Sequence, residues 1–145
     1  MAKVDRFALV SFSAQQMYDL VNDVASYPEF LPGCSESRLL DTSDSHMKAS
    51  LRVAKGGISK WFTTHNNLTS NESIHMELVD GPFSHLKGLW EFTELAEDAC
   101  RVSLKLDFEF SSGLLGAAFN KVFHQLASNM VQAFVERAKD VYSAK

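Results

Sequence analysis

Arg101-Val102-Ser103-Leu104-Lys105-Leu106-Asp107-Phe108-Glu109-Phe110, followed by Ser111-Ser112-Gly113, decides the fold. Its apolar set Val102, Leu104, Leu106, Phe108, Phe110 recurs every second residue against Arg101, Ser103, Lys105, Asp107, Glu109, the signature of a strand with one buried and one wet face. Past the serines and glycine the period changes to that of a helix, which the pattern predicts from Leu114 to Tyr142. Leu115, Phe119, Val122, Phe123, Leu126, Met130, Phe134 and Val141, flanked by Val131, Val135, Ala138 and Tyr142, form a wide apolar arc; Lys121, Gln125, Gln132, Glu136, Lys139 and Asp140 form the polar side. Such a helix is about 45 Å long and cannot stand without backing. A wide arc suits enclosure by the concave face of a curved sheet.

Outward from this point, the chain supplies that sheet. Between Ser37 and Phe110, β-rich runs alternate with turn chemistry at Asp41-Thr42-Ser43-Asp44, Gly56-Gly57, Ser70-Asn71-Glu72, Asp80-Gly81-Pro82 and Glu97-Asp98. Connections this short force antiparallel neighbours. Met47, Ala49, Leu51 and Val53 alternate with His46, Lys48, Ser50 and Arg52, and Leu86, Gly88, Trp90 and Phe92 share one face of a later strand. Glycine in that row either admits another backbone or relieves a bend. Upstream, Val4 to Phe12 reads as a first strand, and Ser13-Ala14-Gln15-Gln16 as a capping box opening a helix with Met17, Leu20, Val21 and Val24 on one face. A second S-x-x-E signal, Ser26 to Glu29, opens a short helix stopped by Pro32. The expected architecture is α+β: a curved antiparallel sheet of about seven strands around a long C-terminal helix, with two short helices after the first strand. Residues 1–145 are expected to form a single domain.

Two segments carry motifs. Tyr27-Pro28-Glu29-Phe30-Leu31-Pro32-Gly33-Cys34 places apolar side chains between prolines; Gly81-Pro82-Phe83-Ser84-His85-Leu86-Lys87-Gly88-Leu89-Trp90-Glu91-Phe92 follows later. Together they resemble the coenzyme Q-binding and ribosome association toxin family of START-like, polyketide cyclase-type proteins over nearly the whole chain. The resemblance implies the helix-grip fold. It also implies non-enzymatic binding of ubiquinone or a similar isoprenoid lipid in a hydrophobic cavity, in support of respiratory electron transport. The alternative it implies is a toxin that binds the large ribosomal subunit, blocks subunit association and inhibits translation. A polyketide cyclase activity is a third implication, for which no acid-base pair is visible.

Alternation and helix period nominate Leu51, Val53, Phe62, Met76, Leu78, Leu86, Trp90, Phe92, Leu106, Phe108, Phe119, Phe123 and Met130 as cavity walls, beside the simpler reading that each is core. Phe30 and Leu31 read either as a plug in one end of the core or, with Phe83 and Leu114-Leu115, as a cavity rim or membrane-facing patch. No motif of covalent or metal catalysis is present, and the acid-base candidates His124, Asn66 and Glu91 all have bland readings. His65 and His75, facing each other across neighbouring strands, would be a weak metal signal, and Cys34 and Cys100 lack ligand spacing. No metal and no required cofactor are expected, only a possible bound ubiquinone.

Net charge of -4 and a lack of long apolar runs point to a cytoplasmic protein, peripheral at the inner membrane at most, with no attraction for DNA. Lys48, Arg52, Lys55, Lys60, Lys87, Arg101 and Lys105 fall mostly on outward rows of the sheet, interleaved with Glu77, Glu91, Asp107 and Glu109. That is a mixed solvated face or a local patch for ribosomal RNA.

Overall fold

The computed structural model describes residues 2–55, 57–110 and 116–142. Strand β1 (Ala2–Val10) leads to α1 (Ala14–Asn22) and a 3₁₀ helix (Val24–Glu29). Six strands follow, β2 (Cys34–Thr42), β3 (His46–Lys55), β4 (Ile58–Thr69), β5 (Ser73–Asp80), β6 (Phe83–Ala96) and β7 (Ala99–Phe110), then α2 (Gly116–Tyr142). The sheet order is β1-β7-β6-β5-β4-β3-β2, antiparallel throughout. Its edges β1 and β2 are neighbours in sequence, so α1 and the 3₁₀ helix cross from one edge to the other and cap one end of the concave side. Register shifts at Cys34/Glu36, Leu39/Asp41, Thr63/Thr64, Phe83/His85 and Glu94/Ala96 bend the strands. The helix-grip expectation is met: α2 lies in this curve with Phe119, Phe123, Leu126, Ala127, Met130, Val131, Phe134, Val135 and Ala138 buried.

Several local expectations need correction. β1 ends at Val10, paired with Cys100, because the Glu97-Asp98 turn leaves β7 no residue to pair with Phe12; that ring packs instead on Tyr142 at 5.9 Å. The Ser13 capping box forms, with Gln16 N donating to Ser13 Oγ at 3.1 Å and Ser13 N to Gln16 Oε1 at 2.9 Å. The second box does not. The 3₁₀ helix already begins at Val24, so Ser26 lies inside it and not at its cap, and its Oγ donates to Asp23 Oδ2 at 2.7 Å. The helical arc is narrower than expected at its C-terminal end, where Val141 is exposed. Leu114 and Leu115 lie outside the described residues.

At Gly88 it is side chains, not another backbone, that approach. A Cβ there would meet Met76 Cε at 2.4 Å and Leu106 Cδ2 at 2.6 Å, so this glycine makes room for two side chains from the flanking strands. Gly81 is a backbone requirement: its φ is +147°, and a Cβ would lie 2.7 Å from Phe62 Cβ and 3.2 Å from its Cα. Gly81→Ala is therefore expected to destabilise the protein by about 1–3 kcal/mol. Urea denaturation measures this, and an unchanged midpoint would show that the turn re-forms without cost.

Candidate functional site

The space between sheet and helix is filled from both ends. At one end Phe123 stands among Phe83 (centroids 4.9 Å), Phe108 (5.0 Å), Phe62 (5.5 Å), Phe110 (5.9 Å) and Phe119 (6.0 Å). At the other, Phe134 receives Phe30 at 5.1 Å, Tyr27 at 5.3 Å and Trp90 at 5.4 Å. Here the plug reading of the proline segment holds. Leu31 is buried, Arg137 lies 5.0 Å over the Phe30 ring, and its guanidinium pairs with Glu29 at 2.9 Å. Tyr27 Oη donates to the Val21 carbonyl. Phe83 is buried in the first cluster, so it offers no rim or membrane-facing surface.

Between the two clusters lies a cavity of about 50 Å³. It is walled by Leu51, Phe62, Met76, Leu86, Trp90, Leu106, Phe123 and Met130, all expected there, and by Val24, Tyr27, Ala49, Thr64, Asn66, Leu126 and Ala127. The structure does not bring the other nominees to it. Val53 and Phe108 are solid core, Phe83 and Phe119 belong to the aromatic cluster, and Phe92 packs beneath Tyr18 at 5.7 Å. Leu78 is a half-buried flank of the core, Phe30 and Leu31 are the plug, and Leu115 lies outside the described residues.

The volume decides what this cavity holds as it stands. A water needs roughly 10–15 Å³ and pockets that bury drug-sized ligands run to about 300–1,000 Å³, so this space admits a few waters and no quinone ring. Ubiquinone does not fit without displacement of wall side chains, of which Met76 and Met130 are the most adaptable. The polar point of the wall is a buried pair, Thr64 Oγ1 donating to Asn66 Oδ1 at 2.9 Å. The inward parity of β4 signals both residues, although alternation alone ranks polar side chains as outward.

The remaining chemical candidates disperse. His124 is exposed, beside Ser128 Oγ at 3.3 Å, and Glu91 sits half-buried away from the cavity. The register puts His65 opposite Glu77 and His75 opposite Asn67, so the two histidines do not face each other. Among the described residues no group of His, Cys, Asp and Glu is placed to hold a metal. Lys55 and Lys60 depart from the outward rows: Lys60 pairs with the core residue Val53, so both lysines leave the sheet on the helix side. Burial pushes the Cys34 thiol up from 9.0 to about 11, partly offset by its contact with the Glu36 carbonyl, and burial alone pushes Cys100 to about 11. Tyr27 is raised too, by burial first and then by the charges of Cys34 and Asp23.

Residues 10–135 match the profile of polyketide cyclases / dehydrases and lipid transport proteins. The chain belongs to this family. It is 62% identical over 142 residues to the ribosome association toxin RatA of Vibrio cholerae, covering 98% of this chain and 99% of that protein. To RatA of Escherichia coli K12 it is 59% identical over 145 residues, 100% of this chain and 92% of that one. The coenzyme Q-binding protein COQ10 homolog B of Xenopus laevis is 28% identical over 138 residues, 92% of this chain and 57% of that protein. Among solved structures, the Zhui aromatase/cyclase from Streptomyces sp. R1128 superposes with a TM-score of 0.83 at 15% identity, over 99% and 98% of the two chains. At that identity the likeness speaks for the fold alone.

Two outcomes follow. Thr64→Val leaves Asn66 without its partner and is expected to cost about 1–3 kcal/mol, whereas Thr64→Val/Asn66→Leu recovers most of it; calorimetry of the three proteins checks this, and an equally damaged double variant would contradict it. Both thiols are raised in the folded state, so the stability of their protonated forms is complete below pH 9 and is lost as pH rises towards 11. The urea midpoint in reducing buffer should fall across that window, and fall less in Cys34→Ala/Cys100→Ala, where only the raised tyrosines Tyr18, Tyr27 and Tyr142 remain.

Proposed function

We propose that the protein is a ribosome association toxin: it binds the large ribosomal subunit, prevents its joining with the small one and so inhibits translation. The observation that carries this reading is identity of 59% and 62% to proteins of that name along essentially their whole length. Coenzyme Q-binding similarity is weaker, at 28% identity over 57% of the relative. The small cavity supports the same order of preference, because a lipid carrier needs a volume that this packing does not leave. The reading assigns the protein no catalytic step and no cofactor, and places it with ribosomes in the cytoplasm. Among the described residues no helix is long and apolar enough to cross a membrane. Quinone binding stays as the second reading, on the adaptable Met76 and Met130 and the buried Thr64–Asn66 pair.

The test is sucrose-gradient sedimentation of purified subunits with the protein at low and high magnesium. Large subunits should carry the protein, and the peak of joined subunits should fall in proportion to its dose. Leu106→Met and Met130→Leu, which alter the cavity wall while conserving its volume, should leave that activity intact. Joined subunits forming normally at saturating protein, with a quinone that raises thermal stability, would reverse the two readings.

A further inference from the structure

We propose that the surface formed by the tip of the β3–β4 hairpin and the N-terminal half of α2 is the contact for the phosphate backbone of ribosomal RNA; this rests on the ribosome reading. The starting observation is how charge is distributed along the chain. Residues 45–71 and 110–135 contain five of the 14 basic residues, Lys48, Arg52, Lys55, Lys60 and Lys121, and none of the 18 acidic ones. The rest of the chain therefore carries a formal charge of -9, and the net value of -4 hides a protein of two opposite parts.

The fold brings the two acid-free stretches together. Lys55 Nζ donates to Gln125 Oε1 at 3.2 Å, joining the hairpin to the helix across 70 residues of sequence. Lys60 leaves the sheet on the same side as Lys55, while Arg52 lies on the other face of the hairpin and donates through Nε to Ser59 Oγ at 2.7 Å. On α2, Asn120, Lys121, His124, Gln125 and Asn129 are all exposed. Lysines with amide and hydroxyl donors and no carboxylate are the inventory that phosphate and ribose contacts use. Nearby, the Arg38 guanidinium lies 4.5 Å over the half-buried Trp61 ring.

Carboxylates meet this surface only at its borders. Glu36 is taken up by an ion pair with Arg52, Asp41 opposes Lys48 at the far end of the hairpin, and Glu77 and Asp80 lie on the adjacent strand β5, opposite His65 and Thr63. The other cationic candidate, the outer face of β1, β7, β6 and β5, is different. There Lys3, Asp107, Lys87 and Glu77 follow one another across a single row of the register, and Lys105 opposes Asp5. Each lysine in that row has a carboxylate neighbour, so a polyanion approaching it is repelled as much as attracted. The hairpin–helix surface lacks that cancellation.

The experiment compares the full chain with K55E/K60E/K121E and with K3E/K87E/K105E, which makes the same change of charge on the cancelled face. Probes are purified large subunits, deproteinised large-subunit RNA and phosphatidylglycerol vesicles, each titrated from 50 to 300 mM KCl. Thermal melts establish that all three proteins fold, and K55Q/K60Q/K121Q removes the charge without reversing it. Reversal at the hairpin and helix should weaken binding to subunits and to RNA about tenfold or more. The slope of log affinity against log salt should become shallower by about two to three, as expected for three lost phosphate contacts. The control should change affinity less than twofold. Undiminished subunit binding by K55E/K60E/K121E would overturn this surface and leave the ribosome reading standing, whereas a wild-type chain that binds no subunits would overturn both. Equal losses in the two reversed proteins, or binding to vesicles without binding to RNA, would also overturn the assignment.

Discussion

Everything in this molecule depends on the aromatic grip between α2 and the concave face of the sheet. Phe123 and Phe134, three turns apart on one helix, each stand in a cluster of rings from several elements. A 27-residue helix has little stability of its own beyond its packing, and each fully buried phenylalanine contributes roughly 1.5–3 kcal/mol. The same contacts hold the bent sheet open at a fixed width. The Tyr27–Phe30 segment, pinned by Arg137 and Glu29, completes the second cluster and closes the end that the sheet leaves uncovered.

The cavity is what remains between these clusters, and its size is a consequence of the grip. Where rings and methionines fill the interior, the chemistry available to a partner moves to the surface. Here the surface is electrostatically divided, with an acid-free hairpin and helix joined by the Lys55–Gln125 hydrogen bond and an excess of carboxylates elsewhere. A globally acidic protein with a locally basic face favours one orientation towards a polyanion, because its other faces are neutral or repulsive.

Much of this was legible in the sequence because period and turn chemistry agree with the final packing. β7 buries Val102, Leu104, Leu106 and Phe108 as its alternation reads, although Ser103 on the row read as wet is buried too; α2 buries the stripe that its 3.6-residue period marks, and Ser13 caps the helix that its spacing announces. What misled was chemistry that depends on a neighbour. Ser26 resembles an N-cap, yet the helix has already begun at Val24 and its hydroxyl turns back to Asp23. Phe83, Phe108 and Phe119 point inward as read, yet facing inward does not distinguish a cavity wall from a residue buried by other rings. Thr64 was hidden for the opposite reason: a polar residue on an inward row looks like surface until its hydrogen bond to Asn66 is seen. Lys55 and Lys60 belong to a basic set read as mostly outward, whereas the register puts both on the inner side, where the hairpin margin leaves them solvated.

Native mass spectrometry of the protein purified from cells rich in quinones, without detergent or organic solvent, tests most directly whether the grip closes the interior. The account predicts the mass of the bare chain, with added ubiquinone giving no stoichiometric complex. A quinone or isoprenoid lipid bound one to one in the purified protein, and released when it unfolds, would contradict it.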